Sequence, residues 1–529
     1  MEASNKKKRS VAIIGAGASG LAACKHAKAR GFRPVVFEAG DGVGGVWRHT
    51  LASTRLQTPA QAYRFSDFPW RIAGGGEFPR HDKVAEYLAA YARRFGVLEC
   101  VKLGAKVLAV EYVGVAEEEV AAWERWSGNG EAFGDGRGEW LLTVQRRGSD
   151  ATLTYKFDFL ILCIGKYGTP NIPTFPLNEG PEVFNGKVLH SMEYSRMHQA
   201  DAAKLIQDKR VVVVGSGKSA FDTVTYCADT NGIAGYPCTM IYRSTHWMVD
   251  AGPVYGVKLG SLCATRFAEL SVHKPGEGLL LSLLATMLIP LRWLVSKLVE
   301  AWFKTRIPMK KHGMVPSYSF SRSIMACRLG ILPDGFYDRV DRGKIVLKPC
   351  KSFRFCEDGV LLVDGGGCER VDADVVILAT GYQADPHLSG LFFSPWFSKI
   401  VARSSSDDTT APLYRQCIHP RIPQMAVIGY TESTANIHAY EMMAKWVAHL
   451  LDGEVCLPGV AEMEHSVAEW DRWGRRSTRA RGRKSCIGTV MWYKDQLCRD
   501  MGHNPRRKKG ALLAEWLQPY GPADYADIQ

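Results

Sequence analysis

Two glycine-rich turns constrain this chain more than any other feature. Each follows a run of valine and isoleucine that predicts a buried strand, and each begins a helical pattern: V-A-I-I-G-A-G-A-S-G and V-V-V-V-G-S-G-K-S-A. The three fingerprint positions are Gly15, Gly17 and Gly20 in the first turn and Gly215, Gly217 and Ala220 in the second. A strand, a glycine-rich turn and a helix form a dinucleotide-binding unit. Two such units in one chain predict two bound dinucleotides and electron transfer between them.

The first turn has the residues for a pyrophosphate and a free ribose. Gly15 permits the tight bend, Gly17 lets the backbone approach a pyrophosphate, and Gly20 lets helix and strand pack closely. The helix N-terminus faces the phosphates with its partial positive charge. Glu38 ends the next strand, where a carboxylate accepts hydrogen bonds from ribose hydroxyls and repels a 2′-phosphate. We therefore expect FAD or NAD here rather than NADP.

The second turn differs at two of these points. Ala220 replaces the third glycine, and the next strand, T-M-I-Y-R-S, ends in Arg243 and Ser244 instead of an acid. A guanidinium there can pair bidentately with a 2′-phosphate, although an ordinary surface arginine is the alternative. Lys218 either adds charge or is simply solvated. The predicted NADP contacts are Gly215, Ser216, Gly217, Lys218, Ser219, Ala220, Arg243 and Ser244.

Strands and helices alternate along most of the chain, which predicts an α/β fold with parallel sheets. We expect two Rossmann-like domains, with the NADP domain inserted into the FAD domain. Residues 117–138, rich in Glu and Gly, predict an insertion on a β-hairpin. The predicted divisions are a disordered lead (1–9), an FAD domain (10–205 and 346–455), an NADPH domain with a helical insertion (206–345) and a C-terminal helical extension (456–529).

Composition narrows the class of protein. The 529 residues are 46% hydrophobic and 23% charged, values typical of soluble globular proteins. The 14 cysteines form no CxxC pair and have no metal-ligand spacing with histidine, so we expect reduced, mostly buried thiols and no metal site. A net charge of +13 admits nucleic-acid binding, but a basic surface on a cofactor enzyme without a nucleic-acid partner is the favoured interpretation.

Two segments bear on where in the cell the protein is expected. The start, M-E-A-S-N-K-K-K-R-S, lacks the apolar region of a secretory signal. The apolar stretch 279–295 is broken by Pro290 and Arg292, so it predicts an amphipathic or buried helix with at most peripheral membrane contact. We expect a cytoplasmic protein. Peripheral association with the endoplasmic reticulum is compatible with that expectation.

A motif between the turns carries a resemblance. F-N-G-K-V-L-H-S-M-E-Y fits FxGxxxHxxxY, with Phe184, Gly186, His190 and Tyr194. Together with the turns, the later A-T-G-Y (379–382) and the ending E-W-L-Q-P-Y, it resembles flavin-containing monooxygenases and their N-hydroxylating and Baeyer–Villiger relatives over about residues 10–520. The resemblance is greatest to plant members, in the group associated with immune signalling and pipecolate N-hydroxylation.

The resemblance implies a set of FAD contacts. G-V-G-G-V-W (42–47) is similar to the second FAD fingerprint of two-dinucleotide flavoproteins, with a plain turn as the alternative. Trp47 could stack near the flavin or belong to the core, and Asn436 and His438 could lie near the flavin ring. The full predicted set is Gly15, Ala16, Gly17, Ala18, Ser19, Gly20, Glu38, Gly45, Val46, Trp47, Gln57, Thr58 and Val107.

One position departs from the family. Members usually carry an asparagine ten positions before the Asp of a short D-F/Y motif, and here Gln57 precedes Asp67. An amide at this point can hydrogen-bond the flavin edge or its oxygen adduct, so Gln57 is the candidate for supporting that adduct. His190 invites a catalytic role, but a hinge histidine that packs between domains is the favoured interpretation.

These residues predict an NADPH-dependent flavin monooxygenase. NADPH passes hydride to FAD, and the resemblance implies that a C4a-hydroperoxyflavin then gives one oxygen to a nucleophilic nitrogen or sulfur of a small amine or sulfide. The resemblance also implies N-hydroxylation of a cyclic amino acid such as pipecolate, while auxin-type N-oxidation or decarboxylation and S-oxidation of thioethers remain open. A pyridine-nucleotide reductase with two dinucleotides and a non-enzymatic redox-sensing flavoprotein are the alternatives.

Overall fold

The computed structural model describes residues 9–71, 76–121, 131–134, 136–231, 235–364, 367–383, 385–401, 411–478, 486–487, 491–510 and 512–529. The predicted disordered lead, 1–9, falls outside these ranges except for its last residue. The strands are β1 (Ser10–Ile14), β2 (Arg33–Phe37), β3 (Val101–Lys102), β4 (Ala105–Val113), β5 (Glu139–Arg146), β6 (Thr152–Phe157), β7 (Phe159–Leu162), β8 (Thr169–Pro170), β9 (Lys187–His190), β10 (Val211–Val214), β11 (Cys238–Tyr242), β12 (Met248–Val249), β13 (Gly330–Ile331), β14 (Ile345–Pro349), β15 (Ser352–Cys356), β16 (Gly359–Asp364), β17 (Gly367–Asp372), β18 (Val375–Leu378), β19 (Tyr382–Gln383) and β20 (Met425–Val427).

The helices lie between and after these strands. They are α1 (Ala18–Ala29), α2 (His81–Arg94), α3 (Glu117–Ala121), α4 (Ser191–Arg196), α5 (Gln199–Ile206), α6 (Lys218–Thr230), α7 (Leu259–Cys263), α8 (Arg266–Leu270), α9 (Leu279–Met287), α10 (Ile289–Arg306), α11 (Phe320–Met325), α12 (Phe336–Asp341), α13 (Asp385–Ser389), α14 (Pro395–Val401), α15 (Asn436–Asp452), α16 (Val460–Thr478), α17 (Met491–Asp500) and α18 (Leu512–Leu517).

The first nucleotide turn belongs to a five-stranded parallel sheet in the order β20-β7-β1-β2-β3. Its central strand, β1, is apolar and buried from its second residue onward, as expected of a strand covered on both faces. Ile13 pairs with Val36 on one side and Ile161 on the other. Helix α1 leaves the end of β1 and packs against α15. This layering places the first turn at the carboxyl edge of the sheet.

The second nucleotide turn belongs to another five-stranded parallel sheet, in the order β14-β11-β10-β18-β9. Every strand of this sheet falls between β7 and β20 in the sequence, so the second sheet is inserted into the first. The α/β prediction with two Rossmann-like domains is confirmed. Three strands differ from the sequence-based division: β9, β18 and all of β14 except Ile345 pair in the second sheet, although the division put these residues with the FAD domain. Their short apolar runs carry no signal for which sheet they join.

Antiparallel elements complete the fold. Strands β4, β5 and β6 form a three-stranded sheet, and α3 lies in the β4–β5 connection, which confirms an insertion on a β-hairpin. Residues 122–130 and 135 of that insertion lie outside the described residues. The predicted C-terminal extension contains the helices α16, α17 and α18.

The expectation of reduced cysteines is wrong for one pair. Cys327 and Cys486 form a disulfide, with their Cα atoms 6.0 Å apart. They are separated by 159 residues in the sequence, so only the folded chain brings them together. The other 12 cysteines are free thiols, as expected.

Candidate active site

A single cavity of about 2730 Å³ runs between the two parallel sheets and reaches both nucleotide turns. Most of the predicted site residues line it: Gly15, Gly17, Ala18, Ser19, Glu38, Gly45, Val46, Trp47, Gln57, Thr58 and Val107 from the FAD set, and Gly215, Ser216, Gly217, Lys218, Ser219, Arg243 and Ser244 from the NADP set. Three predicted contacts, Ala16, Gly20 and Ala220, do not line the cavity and are fully or almost fully buried behind it. They pack the turn against the sheet, which is the role the fingerprint assigns to its third position.

Close packing requires glycine at two places in the first turn. Gly15 has φ +101°, and a Cβ there would lie 2.5 Å from the carbonyl oxygen of Cys163. A Cβ on Gly20 would lie only 1.9 Å from the Gly15 carbonyl oxygen. Both positions therefore exclude a side chain for reasons internal to the protein.

At the middle position of each turn, in contrast, the protein itself leaves room for a side chain. Gly17 and Gly217 have φ −77° and −87°, which any residue adopts. A Cβ on Gly217 would meet nothing within 4 Å, and one on Gly17 would meet only the Cα of Gly45, at 3.8 Å. Neither helix that follows has a side-chain cap, so its first N–H groups are left for another acceptor. Open space in front of uncapped helix N-termini fits the phosphates of two dinucleotides.

Glu38 lies beside the first turn, as predicted, and its carboxylate is held by the backbone. Oε2 accepts a hydrogen bond from the N–H of Ala16 at 2.8 Å, and Oε1 accepts one from the N–H of Gly40 at 2.7 Å. Each carboxylate oxygen has a second lone pair. The side chain is therefore fixed at the cavity wall and can still accept a ribose hydroxyl.

Arg243 lies at the equivalent place beside the second turn. It is exposed in the cavity and makes no hydrogen bond or ion pair with any residue that the structure describes. Lys218, in contrast, forms an ion pair with Asp222 at 2.5 Å, so it is neither simply solvated nor a free charge. The guanidinium of Arg243 is thus an available cation for a 2′-phosphate at this turn.

The G-V-G-G segment packs directly on the first turn. The N–H of Gly44 donates to the carbonyl of Ala16 at 2.9 Å. Gly44 and Gly45 have φ +125° and +58°, and a Cβ on Gly45 would lie 3.0 Å from the Cα of Gly17. The segment therefore supports the phosphate-facing backbone, which a plain surface turn would not do. Trp47 lines the cavity with its ring edge-on to Tyr63 at 5.9 Å.

Gln57 joins the two halves of the cavity. Its Oε1 accepts a hydrogen bond from the N–H of Ile331 at 3.2 Å, so a residue of the first domain contacts β13 on the other side. The hydroxyl of Thr58 donates to the carbonyl of Thr434 at 2.7 Å, beside the start of α15. The amide N–H₂ of Gln57 has no partner among the described residues, which leaves a hydrogen-bond donor at the cavity wall.

His190 does not line the cavity. It ends β9, is 1% exposed, and its Nδ1 accepts from the N–H of Met192 at 3.1 Å, which caps α4. Its ring contacts that of Tyr382, in the A-T-G-Y segment, edge-on at 5.4 Å. Burial lowers its pKa below the ordinary value. These contacts fit a packing residue between two connecting segments, the favoured interpretation.

The start of α15 faces the cavity, as expected for Asn436 and His438. The side-chain oxygen of Asn436 accepts from the N–H of Ser433 at 2.7 Å, which shapes the turn before the helix. His438 is 1% exposed, with Nε2 unpartnered among the described residues. Burial lowers its pKa to about 3, so its imidazole is neutral.

Sequence reasoning missed a group of cavity residues beyond this helix. Lys494 on α17 lines the cavity, although it is only 8% exposed. Tyr63, Tyr440 and Tyr520 line the same region. They come from four distant segments and belong to no short motif, so the sequence carries no signal that brings them together.

Comparisons with known proteins agree with this geometry. The family model described as flavin-binding monooxygenase-like matches residues 7–509. The chain is 37% identical over 520 residues to the probable flavin-containing monooxygenase 1 of Arabidopsis thaliana, covering 97% of this chain and 96% of that protein.

Two solved structures share the fold. The S-allyl-L-cysteine S-oxygenase of Allium sativum has a TM-score of 0.57 at 21% identity, covering 94% of this chain and 89% of its own. The complex of OTEMO with FAD and NADP has a TM-score of 0.65 at 16% identity, covering 93% and 97%. Since a family model and a full-length relative agree, this chain belongs to the flavin-containing monooxygenase family and is an NADPH-dependent oxidoreductase that uses FAD.

Proposed function

We propose that this protein transfers one oxygen atom from O2 to a nucleophilic nitrogen of a small amino acid, N-hydroxylating a cyclic substrate such as pipecolate. The observation that carries the proposal is the cavity that reaches both nucleotide turns and continues past Gln57 to Lys494. One continuous space lets a nicotinamide, a flavin and a small substrate share a single site. A role in plant defence, implied by the sequence resemblance, belongs to the same proposal.

The residues of the chain have three tasks in this reaction. Glu38 and the first turn hold FAD, and Arg243 and the second turn hold NADPH. FAD, once reduced by NADPH, supplies the chemistry that activates O2. Gln57 and the start of α15 bound the space between the two nucleotides, and there they exclude water and offer hydrogen-bond donors.

Lys494 favours a substrate with a carboxylate. Its ammonium makes no hydrogen bond or ion pair with any described residue, and its one aromatic contact is the ring of Tyr525, 5.1 Å from Nζ. Burial lowers the pKa of Lys494 to about 8, so most molecules still carry the charge at neutral pH. A buried cation without an anionic partner is costly, and a substrate carboxylate would relieve that cost. An amine or thioether without a carboxylate would not relieve that cost.

His438 adds a second unpartnered group beside Lys494. Its ring lies 5.1 Å from that of Tyr525, the ring that Lys494 also contacts. The carboxylate of Glu441 lies 3.4 Å from Nδ1 and can only accept, so Nδ1 of the neutral imidazole carries the proton and Nε2 is left as a hydrogen-bond acceptor.

A matched pair of substrates tests the proposal. Purified FAD-loaded enzyme with NADPH and O2 should convert pipecolate to a product heavier by one oxygen atom, detected by mass spectrometry. Piperidine, the same ring without the carboxylate, should react far less well. Lys494→Met should raise the KM for pipecolate on the order of tenfold while the KM for piperidine and the FAD content stay unchanged.

Other outcomes distinguish the alternatives. If the enzyme oxygenates thioethers but not amino-acid nitrogens, the substrate atom that receives the oxygen is sulfur and not nitrogen. NADPH consumption that reduces an electron acceptor without an oxygenated product would favour a reductase. The amino-acid substrate would be removed from the proposal if the enzyme does not oxygenate pipecolate and if Lys494→Met leaves the KM for every substrate that does react unchanged.

A further inference from the structure

The disulfide between Cys327 and Cys486 joins two parts of the chain that meet at the cavity. Cys327 follows α11 in the inserted domain, and Cys486 belongs to the C-terminal extension. The other 12 cysteines are free thiols, so the protein does not depend on a framework of disulfides. In a chain that otherwise keeps its thiols reduced, a disulfide is usually transient or redox-sensing.

The residues that follow Cys327 form one wall of the cavity. Residues 327–331, which end in β13, all line it, and we call them the β13 wall. The N–H of Ile331 in this wall donates to Oε1 of Gln57 at 3.2 Å. The position of Cys327 therefore influences the contact that Gln57 makes across the cavity.

The other end of the disulfide holds the opposite wall. The backbone of Cys486 pairs with that of Glu432, and the N–H of Ile487 donates to the Glu432 carbonyl at 3.0 Å. Residues 432–436, which lead into α15, also line the cavity, and we call them the α15 wall. The disulfide thus connects the β13 wall to the α15 wall through the pairing at Cys486.

Two adjacent side chains connect the same walls without a covalent bond. Gln57 accepts from the β13 wall, and the hydroxyl of Thr58 donates to the Thr434 carbonyl in the α15 wall at 2.7 Å. Because hydrogen bonds in contact with water contribute little net stability, the covalent bond is the stronger limit on how far the walls separate.

Other contacts hold the C-terminal extension to the inserted domain independently of the disulfide. Arg266 on α8 donates two hydrogen bonds to the carboxylate of Asp495 on α17, at 2.7 Å and 2.9 Å. The indole of Trp473 donates to the carbonyl of His273 at 2.6 Å. Breaking the disulfide would therefore loosen the two walls without detaching the extension.

We propose that the Cys327–Cys486 disulfide is a reversible redox site that controls how well the space between the two nucleotides excludes water. Cys327 is half-buried and lines the cavity, while Cys486 is 5% exposed, so a small dithiol reaches Cys327 first. Its thiolate bonds to the Cys327 sulfur, the S–S bond breaks, and Cys486 leaves and takes up a proton. The second thiol then loses its proton and closes the oxidised dithiol, which releases Cys327 to be protonated.

Hydrogen peroxide reverses the reaction. Looser walls admit water, so the reduced enzyme releases more H2O2 for each NADPH that it oxidises. The Cys327 thiolate takes one oxygen of H2O2 and becomes a sulfenic acid, and the other oxygen leaves as water. The Cys486 thiol then displaces a second water and re-forms the disulfide. This cycle uses the FAD- and NADPH-dependent reaction of the family and not the identity of the substrate, so it stands even if pipecolate is not oxygenated.

Counting thiols in the full-length FAD-loaded enzyme tests the chemistry. Alkylation after denaturation, followed by mass spectrometry, should label 12 of the 14 cysteines in the untreated protein and all 14 after dithiothreitol. Brief treatment of the reduced protein with H2O2 should restore the count of 12, with the peptides of Cys327 and Cys486 joined. A count that is the same in all three conditions would overturn the proposal.

The rate of NADPH oxidation without a substrate tests the consequence. Once dithiothreitol is removed and catalase is present, the reduced enzyme should oxidise NADPH about fivefold faster than the untreated enzyme, the factor expected for one lost hydrogen bond at the cavity wall. Without catalase, the rate should return to that of the untreated enzyme. Equal rates before and after reduction would leave the disulfide with a structural role only and overturn the proposal.

Variants separate the disulfide from other effects of the reductant. Cys327→Ser and Cys486→Ser should each show the high rate with or without dithiothreitol. Cys368→Ser, which removes an exposed free thiol on β17, is the matched control and should respond as the unmutated protein does. The FAD content of every variant should equal that of the unmutated protein, which confirms folding. Low rates in both disulfide variants would contradict the proposal.

Discussion

The two nucleotide turns have the same backbone design but recognise the ribose in opposite ways. Beside the first turn, both carboxylate oxygens of Glu38 are held by backbone N–H groups of the turn region, at 2.8 Å and 2.7 Å. Beside the second, Arg243 is exposed and has no partner among the described residues. One recognition group is fixed before its ligand arrives, and the other is a long side chain that the ligand must order. We infer that the first site suits a cofactor that stays bound, and the second a cofactor that is exchanged in each catalytic cycle.

The largest effect should come from a methyl group placed in the open space at the first turn, which should weaken FAD binding. Gly17→Ala should lower the affinity for FAD about 100-fold, because its methyl group enters the space of the pyrophosphate and overpacking costs up to about 3 kcal/mol. The FAD-free protein should unfold at an unchanged temperature, since that methyl group would meet only the Cα of Gly45, at 3.8 Å. Flavin absorbance per chain and thermal unfolding measure the two effects.

Gly217→Ala is the matched control for that variant. A Cβ on Gly217 meets no protein atom within 4 Å, so FAD content should remain normal while the KM for NADPH rises. Normal FAD binding by Gly17→Ala would show that the first turn does not hold the pyrophosphate.

A smaller effect is expected from removing the exposed arginine. Arg243→Ala should raise the KM for NADPH about tenfold, or about 1.4 kcal/mol, because a charge-assisted contact with the 2′-phosphate is lost. The KM for NADH and the FAD content should not change. Arg243→Lys should retain part of the preference, since it keeps the charge but not the bidentate geometry. Steady-state kinetics with both nucleotides check this, and equal use of NADPH and NADH by the unmutated enzyme would contradict it.

The smallest effect should come from Gln57, which belongs to neither recognition group but lies between them. Gln57→Ala should still oxidise NADPH but release more H2O2, because a hydrogen-bond donor at the cavity wall is lost. One hydrogen bond contributes about 1 kcal/mol, so the ratio of product to H2O2 should fall roughly fivefold. Gln57→Asn should recover part of that ratio. Peroxide release and product are measured together against NADPH consumed, and an unchanged ratio in Gln57→Ala would leave Gln57 as a wall residue only.

Sequence reasoning was most successful where function depends on local backbone geometry. The strand, turn and helix at Gly15 and Gly215 form as predicted, because buried apolar runs and positive φ values at glycine are properties of short segments. It was less successful for sheet membership. Strands β9 and β18 join the second sheet through pairings such as Leu189 with Ile377, which no local pattern encodes.

The same limit applies to the substrate part of the cavity. Lys494 was not predicted because a lysine within a helix is usually solvated, and its burial depends on Tyr525 and on elements distant in the sequence. The disulfide between Cys327 and Cys486 was missed for the same reason. Partners separated by 159 residues have no spacing signal.

The sequence by itself determined the number of nucleotide sites, their order along the chain and the opposite charge beside each. These features depend on residues within one βαβ unit, where about 30 residues are sufficient to specify the geometry. Only the tertiary structure decided that both turns open into one cavity, that Gln57 bonds to Ile331 across it, and that Leu279, Leu280 and Leu283 of α9 remain exposed. Such facts depend on which surfaces meet when distant segments pack together, and that outcome is set by the whole core rather than by any local pattern.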